Sequence, residues 1–134
     1  MSSIFKHQVN YYETDKMGCT HHSNYIRFME EARVDYLEGI GCGYKSLEAE
    51  GIVSPVISVN VQFKKATTFG DLIEIEVKPK SYTGVKVEFE YIMKCGGEVV
   101  CLASSSHCFL DSTNRPISLK RSGLHQKFVS LIGD

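Results

Sequence analysis

Hydrophobic and polar positions alternate over Ile4–Tyr12. Phe5, His7, Val9 and Tyr11 fall on one phase, and Lys6, Gln8 and Asn10 on the other. A period of two predicts a strand. Glu13 to His21 has no period and contains Gly18, which predicts a loop. From Ser23 to Glu38 the spacing changes. Tyr25, Phe28, Met29, Ala32, Tyr36 and Leu37 recur at steps of three and four, with Glu30, Glu31, Arg33 and Asp35 between them. This is an amphipathic helix of about four turns, with Ser23 or Asn24 available as its N-cap. Gly39, Gly41 and Gly43 mark its end, and Tyr44–Glu50 adds a short helical turn before Gly51.

The remainder reads as sheet. Ser54–Lys65 carries Ile57, Val59, Val61 and Phe63 on one phase, and Leu72–Pro79 sets Ile73, Ile75 and Val77 against Leu72, Glu74 and Glu76. Val85–Cys95 and Glu98–Leu110 flank Gly96-Gly97, a hairpin signal. Asp111–Pro116 is a polar turn, and Leu124–Ile132 a short helix. One long helix followed by four antiparallel strands implies an α+β protein, its helix covering one face of the sheet.

Length changes this picture little: 134 residues make one domain, 1–134. Fifteen basic against sixteen acidic residues give a net charge of −1, so no whole-surface attraction to nucleic acid is expected. No apolar run approaches the roughly 18 residues that span a bilayer, and Met1–His7 lacks the hydrophobic stretch of a signal peptide. Cys19, Cys42, Cys95, Cys101 and Cys108 are odd in number and form no C-x-x-C pair. Reduced, mostly buried thiols in a cytoplasmic protein are the expectation.

Most candidate motifs fail on detail. Gly39–Ser46 is not a Walker loop, because Tyr44 separates Gly43 from Lys45 and the segment follows a helix. There is no G-x-S-x-G elbow and no H-E-x-x-H. His21-His22 is a poor chelating pair, because adjacent residues at a helix entrance point in different directions. Ser105 and His107 share a strand face but lack an acid partner, so they read as small polar residues packed near the helix. Arg27 before Glu31 and Arg33 after Glu30 read as ion pairs on a helix face.

The segment Thr14–Tyr25 carries more. Asp15 follows a strand, Gly18 lies in the loop, and a helix begins seven residues after Asp15. Asp15 is either a turn residue or a carboxylate held near the free N–H groups of a helix start, which favour negative charge. A carboxylate facing such donors suits acyl transfer.

These residues resemble the hot-dog thioesterases of the 4-hydroxybenzoyl-CoA thioesterase type. The family pattern, T-D-x-x-G-x-x-x-H-x-x-Y, is met by Thr14, Asp15, Gly18, His22 and Tyr25. Glu30 to Arg33, Phe69-Gly70-Asp71 and Asn114-Arg115-Pro116 also fit the layout. The resemblance implies a hot-dog fold, with an antiparallel sheet of about five strands wrapped around one long central helix. It implies hydrolysis of an acyl-CoA to an acid and free CoA by a homodimer or homotetramer, with no metal or organic cofactor. Asp15 takes the place of the catalytic carboxylate, and His22 that of the residue whose main-chain N–H polarises the carbonyl. Gly18 and Tyr25 would approach the substrate, and Lys64 and Lys65 would meet the CoA phosphates. Tyr25, Phe28, Met29 and Ile57 are candidates for an acyl pocket. Glu30 and Glu31 are the alternative carboxylates. Acyl-carrier-protein thioesterase and a non-catalytic acyl-CoA binding domain are the alternative functions.

Overall fold

Alternation along the strands and a three-to-four spacing along one helix build the molecule, here a computed structural model in which residues 3–132 are described. The strands are β1 (Ser3–Gln8), β2 (Val56–Phe63), β3 (Leu72–Tyr82), β4 (Lys86–Cys95) and β5 (Glu98–Cys108). The helices are α1 (Ser23–Gly39), α2 (Tyr44–Ala49) and α3 (His125–Ile132). All strand pairs are antiparallel, in the order β1-β3-β4-β5-β2. Gly96 and Gly97, at φ 59° and 84°, make the two-residue turn from β4 to β5, a turn that needs left-handed backbone at both positions.

The core lies between α1 and one face of the sheet. Ile73, Ile75 and Val77 of β3 and Phe89, Tyr91 and Met93 of β4 are buried there, as the alternation requires. From α1 come Tyr25, Phe28, Met29, Ala32, Tyr36 and Leu37. Removing a side chain such as Phe28 from water contributes roughly 1.5–3 kcal/mol. Phe28 and Met29 are fully buried in this core and are not among the residues lining the cavity beside the Asp15 loop.

One boundary and one strand's burial differ from the sequence reading. The first strand stops at Gln8, and Tyr11–Glu13 forms a 3₁₀ turn in which Tyr11 is exposed and Glu13 is buried. The alternation in Ile4–Tyr12 therefore runs on past the strand that it marks. In β2, Ile57, Val59 and Phe63 share a phase yet are exposed, as is Val56 on the other. β2 is an edge strand, bonded to β5 on one side only among the described residues. Of the five cysteines, all free, Cys42 and Cys101 are fully buried and Cys19, Cys95 and Cys108 are half-buried. Burial pushes the Cys42 and Cys101 thiols up to about 11.

Arg33 corrects the helix-face reading. It has turned inward and is buried, donating from Nε to Tyr44 Oη (3.1 Å) and from Nη1 to Tyr91 Oη (3.1 Å). Tyr91 bonds to Ser105 Oγ at 2.6 Å, and Ser105 bonds to His107 Nε2 at 2.7 Å. A guanidinium can only donate, so Tyr91 accepts from Arg33, and the Tyr91 and Ser105 hydroxyls link it onward to Nε2 of His107. The expected Ser105–His107 face is thus an internal polar chain, and no carboxylate is among these partners.

Burial first, and the Arg33 charge second, hold the His107 pKa down to about 4, against about 6.5 in an unfolded chain. Between those values the unfolded chain takes up a proton that the folded one refuses. The His107 contribution to stability is therefore complete above about pH 6.5 and lost as the pH falls toward 4. We expect Tm to fall on the order of 5 °C more between pH 7 and pH 4.5 in the wild type than in His107→Gln. Thermal melts at the two pH values measure this, and equal falls in both proteins would show that His107 is not the titrating group.

Candidate active site

The loop after Glu13 closes on itself. Thr14 and Thr20 form an antiparallel bridge, the Asp15 amide donates to Cys19 O (2.8 Å), and the Gly18 amide donates to Asp15 O (3.0 Å). Gly18 has φ 80°, a conformation that a residue with a Cβ rarely adopts. Gly18 therefore makes the turn and does not line the cavity beside the loop. Asp15 Oδ1 accepts from the amides of Met17 (2.9 Å) and Cys19 (3.2 Å). Asp15 Oδ2 has no partner among the described residues.

The segment before β3 holds this loop from the other side. The Thr20 amide donates to Thr67 O (2.8 Å), and Thr68 Oγ1 donates to Gly18 O (2.7 Å). Thr67 Oγ1 is shared between Thr20 Oγ1 (2.6 Å) and Tyr25 Oη (2.9 Å), all buried. Burial, more than any other influence, raises the Tyr25 pKa. The phenol is thus a neutral strut between α1 and the two loop segments.

The helix start differs from expectation. Neither Ser23 nor Asn24 caps it. His22 occupies the cap position with helical φ −55° and ψ −31°, and its side chain makes no cap bond. The Ser23 amide donates instead to His21 Nδ1 (3.2 Å), and Asn24 Nδ2 donates to Glu13 O (2.9 Å). The His22 amide has no acceptor among the described residues. The His21 and His22 rings, expected to point apart, stack with centroids 4.3 Å apart.

Asp15 and His22 share an open cavity of about 320 Å³ with Thr20, Tyr25, Phe63, Lys64, Lys65 and Ala66. Phe63 stands edge-on to Tyr25 at 5.2 Å and to His22 at 6.4 Å. Five expected site residues thus meet in one place: Asp15, His22, Tyr25, Lys64 and Lys65. Gly18 and Ile57 lie outside the lining. Lys65 Nζ pairs with the exposed Glu98 at 2.5 Å, which raises its pKa, whereas Lys64 has no ion-pair partner among the described residues. Glu30 and Glu31 border a different groove with Phe5, Arg27, Val34 and Asp35. Glu31 there contacts His7 (3.2 Å) and Arg27 (3.7 Å).

Sequence reasoning missed Phe63, Thr20 and Thr67. Phe63 was within reach, as the apolar neighbour of two lysines already placed at the pocket mouth. Nothing local marks the threonines, which matter through a contact spanning 47 positions.

Comparisons with known proteins identify the family. The family model described as thioesterase-like superfamily matches residues 9–129. The chain is 32% identical over 117 residues to the putative acyl-CoA thioesterase YneP of Bacillus subtilis (strain 168), covering 86% of this chain and 85% of that one. It is 30% identical over 110 residues to a putative esterase of Aquifex aeolicus (strain VF5), covering 82% and 86%. Among solved structures, the DHNA-CoA thioesterase of Staphylococcus aureus superposes with a TM-score of 0.93 at 29% identity, covering 98% of this chain and 91% of that one. With the family match running from before the Asp15 loop into α3, and the backbone superposing on a solved thioesterase over nearly its whole length, the chain belongs to the thioesterase-like superfamily and has the hot-dog thioesterase fold.

Proposed function

We propose that this chain hydrolyses acyl-CoA thioesters to a carboxylic acid and free CoA. The observation that carries this reading is one juxtaposition. Asp15, with one carboxylate oxygen anchored and the other without a partner among the described residues, shares a cavity with His22 at the start of α1, whose amide has no acceptor among those residues. The relatives named as acyl-CoA and DHNA-CoA thioesterases support the same chemistry.

Asp15 Oδ2 acts in one of two ways. It attacks the thioester carbon to form a mixed anhydride, which water then hydrolyses, or it takes the proton of the attacking water. Either route puts negative charge on the carbonyl oxygen, and the His22 N–H donates to that oxygen. The CoA thiolate leaves without metal assistance. Lys64, lacking an internal partner, is free to meet the CoA phosphates, and Lys65 adds to the field where Glu98 does not hold it.

The protein acts as a homodimer or homotetramer. The outer edge of β2 is unpaired among the described residues, its Val56, Ile57 and Val59 are exposed, and β2 ends at Phe63 beside the cavity. A second copy pairing there would cover this apolar strand and wall in the acyl group. Among the described residues no helix is long and apolar enough to cross a membrane, and a cytoplasmic location fits an acyl-CoA substrate.

The test is thiol release from short, medium and aromatic acyl-CoAs, with matched acyl carrier proteins as the second arm. Turnover is expected on acyl-CoA. Faster release from the carrier protein would assign the protein-borne substrate instead, and binding of acyl-CoA without release would make the chain a binding domain.

A further inference from the structure

Glu13 is the most deeply buried carboxylate among the described residues, and the chemistry proposed above does not use it. Its side chain has no exposed surface. Oε1 accepts from the Asn10 amide (2.7 Å), Asn10 Nδ2 (3.3 Å) and His7 Nε2 (2.9 Å), and Oε2 accepts from Arg27 Nη2. Every neighbour of the carboxylate is thus a donor.

The same residue is held through its backbone. Glu13 O accepts from the His21 amide (2.8 Å) and from Asn24 Nδ2 (2.9 Å). Arg27 Nη2 closes the ring by donating to Asn24 Oδ1 (3.0 Å). Carboxylate, guanidinium, carboxamide and carbonyl therefore form one circuit joining Glu13 to the first turn of α1. Glu13 stands two residues before Asp15, and His21 and Asn24 lie one residue before and two residues after His22. The circuit clamps both ends of the span 14–22, which carries the free carboxylate oxygen and the free amide.

We propose that Glu13 is a positioning residue, whose buried charge, through Arg27 and Asn24, fixes the spacing between Asp15 and the His22 amide. This inference rests on the acyl-transfer reading of that pair. A displacement of about 1 Å between reacting groups can cost on the order of 100-fold in rate. A burial this complete, with donors on every side, leaves no place for the amide of a glutamine, which must turn an N–H toward Arg27 or toward Asn10. Loss of the charge therefore opens the circuit at its centre. Lys64, Lys65 and Phe63 take no part in this circuit, so substrate binding should be retained.

The experiment compares wild type, Glu13→Gln, Arg27→Met and Asp15→Asn on one acyl-CoA found to turn over, at a temperature well below each variant's Tm. Glu13→Gln should lower kcat by about 10-fold or more with KM within about 2-fold of wild type. Arg27→Met breaks the same circuit from its half-exposed side, so it stands in if Glu13→Gln does not fold, and it should show the same split. Wild-type kcat in a folded Glu13→Gln or Arg27→Met protein overturns the proposal, and so does a loss carried by KM alone. The Asp15→Asn arm separates the two readings. Turnover surviving in Asp15→Asn removes the acyl-transfer role of Asp15 itself, whereas turnover surviving only in the Glu13 and Arg27 variants removes the clamp and leaves the role of Asp15 standing.

Discussion

Asp15→Asn should reduce thiol release from acyl-CoA by at least ~100-fold, the range associated with losing a positioned base or nucleophile. The geometry makes this substitution unusually clean. Oδ1 accepts from the Met17 and Cys19 amides, and an asparagine carbonyl oxygen can accept the same two bonds. The amide nitrogen then falls where Oδ2 was. It has no lone pair with which to attack a carbonyl and cannot take a proton from water. The loop keeps its turn while the reacting atom is exchanged, so Tm should stay close to the wild-type value. Steady-state rates on the acyl-CoA panel, with a melt of each protein, make the measurement. Equal turnover in the two proteins would move the chemistry off Asp15. Glu30 and Glu31 are then the remaining carboxylates considered from sequence, although they border a separate groove with Arg27 and Val34.

The sequence carried the fold where burial is one-sided. Ile73, Ile75 and Val77 alternate with polar residues and are buried in that phase; the apolar positions of α1 behave likewise. It misled where an apolar pattern has no partner within one chain. β2 has the same alternation, yet its apolar positions face solvent at the sheet edge. It was silent where a polar residue is buried, because a pattern of hydrophobic positions assigns such residues to the surface. Arg33 and Glu13 are the two clear cases. Arg33 is compensated by tyrosine hydroxyls on α2 and β4, 11 and 58 residues away, and Glu13 by donors from β1, its own turn and α1. Satisfaction of a buried polar group is a property of the assembled fold. The motif from Thr14 to Tyr25 was legible because its chemistry is local: a strand end, a glycine turn and a helix start lie within one short stretch. What could not be read there was which N–H groups at the helix start stay free. That depends on His21 turning its ring to accept from Ser23 and on Asn24 turning back to Glu13.

The remaining free amide can be removed on its own. His22 has φ −55°, within the range that proline enforces, and proline is tolerated at a helix start because the N–H there bonds to nothing within the helix. His21 before it is outside the helix, as the residue preceding a proline prefers. His22→Pro therefore deletes the donor while keeping the backbone path, and His22→Ala deletes the ring while keeping the donor. If the main chain polarises the thioester, His22→Pro should lose about 10²–10³ in kcat, the usual effect of one oxyanion donor, and His22→Ala should remain within about 5-fold of wild type, since no bond from the ring to Asp15 has to be replaced. The opposite ranking would assign the work to the imidazole. Equal rates in all three proteins would require a different donor for the developing charge, and Asp15 would have to act without the helix start.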